Sequence, residues 1–251
     1  MALGYASVAY CPLDTVVNWK CNTCDGSTRG TSDVVLFNND VSETYAYLAV
    51  NHYHKIIVIS FRGTDGLGDW MGNLKVSMTS LNLPPPYQDA KVHRGFNTFV
   101  EGIVDELRYA LSNALRMNPS YTVKFVGHSK GGALASIAAV KMVQYRVVTW
   151  NKVSIFTYGQ PRTGNAEFAN YINSQPVTVL RVTAHADMVT VVPKLIHSYQ
   201  HYQYNLHMTS DGKTVLCDIF GEDPDCTNDF WVASLDAHYT YFNLRINSAC
   251  T

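Results

Sequence analysis

Residues 126–132, Val-Gly-His-Ser-Lys-Gly-Gly, constrain this chain more than any other stretch. They lie between an apolar, β-branched run at 121–126 and a small-residue run at 133–140 that reads as a buried helix. Gly-x-Ser-x-Gly between a strand and a helix describes a turn so sharp that its serine takes a strained backbone conformation. A Cβ at Gly127 or Gly131 would collide with the neighbouring strand or helix, so both positions need glycine. The strain lifts the Ser129 hydroxyl clear of the sheet edge, beside the first free N–H groups of a helix. Negative charge developing on an oxygen is stabilised there. The pentapeptide alone fits an ordinary tight turn; with its two flanks it makes Ser129 the candidate nucleophile.

Composition narrows what can surround this turn. With 47% hydrophobic and 16% charged residues, the 251-residue chain reads as a well-buried globule, and residues 1–251 are expected to form one domain. The formal net charge is −1 and the basic residues are scattered, which argues against nucleic acid as a partner. No stretch reaches the roughly 18–20 apolar residues of a transmembrane segment. Residues 1–10 lack a basic start and a long apolar run, so they are not a signal peptide; in a secreted protein the signal would already be removed. Cys11, Cys21, Cys24, Cys217, Cys226 and Cys250 lie near the two ends, a placement that suits disulfides formed in an oxidising compartment. Cys21 and Cys24 also have zinc or redox spacing, but no second Cys-x-x-Cys completes a zinc site, and the pair precedes the strand–helix pattern a redox motif requires. No metal or cofactor is expected, and the chain is expected to be a monomer.

In chain order, residues 1–30 read as an irregular wrapping segment. Runs at 45–50 and 55–61 form a hairpin, with His52 and His54 facing solvent in its turn. Residues 56–60 are apolar on both faces, which marks a central strand. Its carboxyl end, Phe61-Arg62-Gly63-Thr64, puts Thr64 where ligands bind in open α/β sheets and where an oxyanion donor can stand. Leu67, Trp70, Met71 and Leu74 define one apolar face of a short helix, and Gly66, Gly68 and Gly72 weaken it in a way that suits a moving segment. Residues 82–86 form a stiff, Pro-rich connector. A long amphipathic helix over 96–115 crosses back between two buried strands. Further strands follow at 153–158 and 177–183, a helix at 165–172, and an antiparallel pair at 202–206 and 214–217. The alternation predicts an α/β fold with a mostly parallel central sheet flanked by helices.

A serine hydroxyl needs a base, and the base needs an orienting acid. On sheets with such an elbow the chain order is Ser, acid, His. Asp187 lies just past the 177–183 strand and fits the acid; Asp211 reads as a turn residue, and Asp223 and Asp225 fall in an acidic loop. His197, His201, His207 and His238 all follow Asp187; His238, in a late polar loop, is the leading base, with His197 and His201 the main alternatives.

With these residues in place, the chain resembles the filamentous-fungal, class 3 lipases of the α/β-hydrolase fold along nearly its whole length. Gly-His-Ser-x-Gly-Gly-Ala-Leu-Ala matches 127–135, Phe-Arg-Gly-Thr at 61–64 resembles the family's oxyanion loop, and Val-His-Arg-Gly-Phe at 92–96 its His-x-Gly-Phe helix start. Residues 182–193 and 236–242 resemble its acid and histidine segments. The resemblance implies a Ser129–Asp187–His238 triad, oxyanion donors from Thr64 and the Lys130 N–H, and a short helical lid carrying Leu67, Trp70, Met71 and Leu74. It also implies the bridges Cys11–Cys250, Cys21–Cys24 and Cys217–Cys226. The expected activity is that of a secreted lipase cleaving acylglycerol esters at an oil–water or membrane interface, with interfacial activation. A feruloyl-type esterase and a non-catalytic lipid binder are the alternatives. Two positions depart from the family pattern: Lys130 stands where Leu is usual, and Met188 where Pro often follows the acid.

Overall fold

A computed structural model describes residues 1–39, 44–64, 66–217, 221–227, 234–248 and 250. Two short helices, α1 (Ala2–Val8) and α2 (Leu13–Val17), precede strands β1 (Thr31–Asn39), β2 (Thr44–Asn51) and β3 (Ile56–Phe61). Helix α3 (Leu67–Gly72) and the ribbon of β4 (Met78–Ser80) with β5 (Lys91–His93) lead into the long helix α4 (Arg94–Met117). Next come β6 (Thr122–His128), α5 (Lys130–Gln144), β7 (Val153–Tyr158), α6 (Ala166–Asn173), β8 (Thr178–Ala184), β9 (Asn205–Met208) and β10 (Thr214–Leu216). The chain closes through α7 (Pro224–Thr227), α8 (Leu235–Tyr239) and the ribbon of β11 (Thr240–Tyr241) with β12 (Leu244–Arg245).

Among the described residues, eight strands make one sheet in the order β1-β2-β3-β6-β7-β8-β9-β10. The run β3-β6-β7-β8-β9 is parallel, and the outer pairings β1–β2, β2–β3 and β9–β10 are antiparallel. This is the mostly parallel sheet that the alternation of patterns predicts. Every residue of β3 is buried, as a strand covered on both faces requires.

The two faces are sealed differently. On one face, α4 turns Phe96, Phe99, Val100, Ile103, Val104, Leu107 and Leu111 inward at helical spacing. It packs beside α5, which is buried from Gly131 to Met142 because its small residues let strand and helix close in on both sides. On the other face, Tyr5, Val8, Ala9 and Val16 of the N-terminal segment join Tyr47, Val58, Val126 and Tyr241.

The N-terminal segment corrects the sequence-based expectation. Residues 1–30 are not simply irregular: α1 buries Tyr5, Ala6, Ser7 and Val8 against the sheet. Three polar bonds anchor it across long separations, with the Tyr47 and Ser60 hydroxyls donating to the Tyr5 carbonyl and Ser7 Oγ to the Ile246 carbonyl. Such partners lie too far along the chain for a local pattern to reveal them. The bridges Cys11–Cys250, Cys21–Cys24 and Cys217–Cys226 are formed, and the first ties this segment to the C-terminus.

Helix α3 is shorter than the apolar spacing over 67–74 predicts. It stops at Gly72, where Asn73 turns back so that its N–H and side-chain amide both donate to the Asp69 carbonyl. Leu74 falls outside the helix yet packs, with Trp70, on the main core.

Candidate active site

Ser129 stands between β6 and α5 with φ 57° and ψ −134°, a left-handed backbone that a serine adopts only under constraint. The constraint is steric and visible. A Cβ at Gly127 would overlap the Gly131 carbonyl, and one at Gly131 would overlap the Phe61 carbonyl at the end of β3. Strand, elbow and helix are therefore locked together, and the Ser129 N–H completes the turn by donating to the Tyr158 carbonyl at 2.8 Å. Lys130 opens α5, so its N–H belongs to the first turn that has no partner within the helix.

The loop after β3 runs alongside. A Cβ at Gly63 would lie 2.9 Å from that of Ser129, which brings neighbouring Thr64 to the same spot. The Thr64 hydroxyl, the Ser129 hydroxyl and His238 Nε2 are all buried with no hydrogen-bond partner among the described residues. A buried polar atom left unpaired is costly in a folded protein unless a further group is to meet it.

Asp187 and His238 meet at full burial. His238 Nδ1–H donates to the two carboxylate oxygens at 2.8 and 2.9 Å, which leaves Nε2 as the basic nitrogen. Asp187 also accepts from the Val189 N–H at 2.9 Å and the Tyr241 hydroxyl at 3.4 Å. Burial, then the Asp187 charge, pushes the Tyr241 phenol well above its ordinary value, so it stays a donor. Both triad candidates press on Gly159, where a Cβ would come within 2.8 Å of Asp187 Oδ2 and of His238 Cε1. Gly159 directly follows Tyr158, the residue bonded to Ser129, and this joins the two halves of the site.

The other candidate histidines have partners or positions elsewhere. His201 is buried with Nε2 on the Thr190 carbonyl, His207 is buried with Nδ1 at 2.9 Å from the Thr183 hydroxyl, and His197 is exposed. His52 is exposed and joins Tyr121 and Asp33 across the sheet edge, while His54 is half-buried.

Several residues at the site carry no motif. His128, beside the nucleophile, donates from Nε2 to the His238 carbonyl at 2.8 Å, so its Nδ1 accepts from the Tyr10 hydroxyl at 2.5 Å. Burial, then the His238 ring 4.4 Å away, holds His128 far below the usual histidine range and therefore neutral. Arg162 grips Glu222 with two 2.8 Å bonds and gives its remaining nitrogen to the carbonyls of Val191 and Pro193. Burial pushes the Glu222 carboxyl up, but the Arg162 fork and the His201 contacts outweigh it and bring it down to about 2. This clamp, with His201 on the Thr190 carbonyl, fixes the acid loop in which Met188 stands in place of a proline.

A cavity of about 770 Å³ runs from Thr64 between α3 and the start of α4, lined by Trp70, Leu74, His93, Thr98 and Phe99 among others. Leu67 is buried, Trp70 stacks on Phe96 with ring centroids 6.2 Å apart, and Met71 is half-buried. The Lys130 ammonium sits 6.0 Å over the Phe99 ring. Metal-capable groups gather only at Cys11, Cys21 and Cys250 and at Cys217, Asp223 and Cys226 among the described residues. All six sulfurs are tied up in disulfides and cannot act as thiolate ligands.

Comparison with known proteins follows the same lines. The family described as lipase (class 3) matches residues 58–197. A lipase of Rhizomucor miehei is 29% identical over 238 residues, covering 93% of this chain and 64% of that protein. A secreted mono- and diacylglycerol lipase of Fusarium solani is 30% identical over 204 residues, covering 79% of this chain and 59% of that protein. The chain thus spans less than two thirds of the length of these relatives. Among solved structures, lipase II from Rhizopus niveus superposes with a TM-score of 0.89 at 28% identity, over 98% of this chain and 93% of that one. The sheet described above is the α/β-hydrolase sheet of these enzymes.

Proposed function

The chain belongs to the class 3 lipase family, and on that premise we propose that it is a secreted ester hydrolase that cleaves acylglycerols at a lipid surface. What supports the reading is the buried Asp187–His238 pair, linked through Gly159 and Tyr158 to the strained Ser129 turn, with Thr64 at the mouth of an apolar-lined cavity. The three disulfides and the secreted Fusarium relative support an extracellular setting.

Ser129 Oγ attacks the ester carbonyl while His238 Nε2 takes its proton. Asp187 holds the imidazole in the right tautomer and balances the charge it acquires. The carbonyl oxygen becomes an oxyanion between Thr64 and the Lys130 N–H, and collapse expels the alcohol with a proton from His238. Water then attacks the acyl-serine by the same route. Lys130 fits this chemistry because the donor is its backbone, whatever its side chain does. The serine and imidazole do not hydrogen-bond in the resting geometry. A catalytic contact that tightens only with substrate bound is common.

Helix α3 acts as the lid. Exposing a Leu, Met or Trp side chain from full burial costs about 1.5–3 kcal/mol. Trp70, Met71 and Leu74 are already partly exposed, so the cost of opening is a fraction of that sum, and a lipid surface offsets it by taking up the apolar face. The test is the initial rate on a medium-chain acylglycerol below and above its solubility limit, beside the rate on methyl ferulate. The rate per unit substrate should jump when emulsion forms, with methyl ferulate hydrolysed far more slowly. An unbroken saturation curve would refute the lid role, and a preference for methyl ferulate would make the protein a feruloyl esterase.

A further inference from the structure

Beyond the lid, the tip that follows the acid loop presents two adjacent large apolar side chains to solvent. Residues 194–198 are all exposed, and Leu195 and Ile196 stand 55% and 82% open to solvent. The tip is built rigidly. On one side the Pro193 carbonyl accepts from buried Arg162 at 2.9 Å; on the other, Tyr199 is buried. In between, the His197 N–H donates to the Lys194 carbonyl at 3.0 Å and the Ser198 N–H to the Leu195 carbonyl at 2.8 Å. Tyr199 also donates through its hydroxyl to the Val76 carbonyl at 3.2 Å, so the tip stands beside the chain leaving α3, where Val76 is itself 39% exposed.

Charge says what this apolar patch meets. Neither residues 188–201 nor residues 74–82 contain an Asp or Glu, while Lys194 and Lys75 adjoin the apolar residues and are exposed. In a chain of net charge −1 this is a local cationic rim around an apolar point, the arrangement that suits an anionic lipid surface. We propose that Leu195, Ile196 and Val76, rimmed by Lys75 and Lys194, form a fixed anchor that inserts into an anionic lipid surface independently of α3 opening. The inference rests on the lipid-surface reading above and names the surface charge that reading leaves open. A rigid tip loses little conformational freedom on insertion, whereas the lid must first be prised off its core.

The test uses the Ser129→Ala chain, so that binding is read without hydrolysis, in flotation with vesicles of phosphatidylcholine alone and of equal parts phosphatidylcholine and phosphatidylglycerol. The parent should bind the mixed vesicles more tightly. Leu195→Ser with Ile196→Ser should weaken binding to both by roughly tenfold or more. Lys75→Gln with Lys194→Gln should weaken it on the mixed vesicles alone, by about fivefold per lysine. Unchanged binding of the serine pair, or equal loss on both vesicles for the lysine pair, overturns the proposal. Self-association that the serine pair abolishes while vesicle binding persists would assign the patch to a second copy and overturn it as well. Ile196→Gln alone, at a side chain with few contacts to lose, keeps the test readable should the double variant misfold. If the active chain hydrolyses no ester, the proposed function fails while the vesicle result stands by itself.

Discussion

Three donors surround the fully buried Asp187 carboxylate: the Val189 N–H, the Tyr241 hydroxyl and His238 Nδ1–H. Replacing it by Asn keeps the size and removes the charge, and an amide can offer its NH₂ to His238 Nδ1. The imidazole would then place its proton on Nε2, facing the serine it should deprotonate. Asp187→Asn is expected to lower kcat by about four orders of magnitude with a smaller change in KM, read from steady-state hydrolysis of a soluble ester. A loss of under tenfold would mean that the acid comes from elsewhere. At this scale Ser129, Thr64 and Asp187 are legible in the sequence, because each sits at the end of a strand whose pattern is strong. His238 is less so, because it competes with three other histidines; the family likeness, not the pattern, singles it out. Tyr10, Arg162 and Glu222 have no local signature, since each acts through a partner at least 29 residues away.

The elbow shows how an element inherits strain from its neighbours. Gly127 has no room for a side chain because the Gly131 carbonyl lies where its Cβ would go, and the Gly131 position is in turn set by the end of β3. Gly127→Ala must therefore shift backbone that three elements share, and a cost of about 3 kcal/mol or more is expected from urea unfolding. A cost under about 1 kcal/mol would show that the turn is slack. Strand and helix existence follows from periodicity here, as with the wholly buried β3 and the inward stripe of α4. Ends follow from single contacts that periodicity does not encode. The α4 start depends on His93, whose Nδ1 accepts from the Phe96 N–H at 3.2 Å while its Nε2 holds the Lys75 carbonyl. The α3 end depends on Asn73 in the same way. Helix α1 escapes the sequence reading because seven residues offer too few turns for a pattern, and its burial comes from the sheet it lies on.

Across the whole molecule, buried neutral histidines set how stability responds to acid. Burial holds His93, His128 and His201 below their ordinary value, and an unfolded chain would protonate them near pH 6.5. A group whose folded pKa is depressed contributes stability above its unfolded pKa and loses it as pH falls. Each of the three should cost about 1.4 kcal/mol per pH unit below roughly pH 6.5, until it takes up a proton in the folded state. Glu222, lowered to about 2, adds a further loss below its ordinary carboxyl range. The urea midpoint should thus hold steady from pH 8 to about 7 and fall steeply between about 6.5 and 5. A flat midpoint across that range would mean that these histidines are accessible to protons in the fold.

The claim on which the rest depends is that Ser129 is the activated nucleophile of an ester hydrolase. Treatment with a p-nitrophenyl alkylphosphonate, followed by mass spectrometry of the digested chain, reads this directly. One adduct per chain is expected, on the peptide containing Ser129, and none in Ser129→Ala. A chain left unmodified, or modified at another residue while Ser129 stays free, would contradict the account.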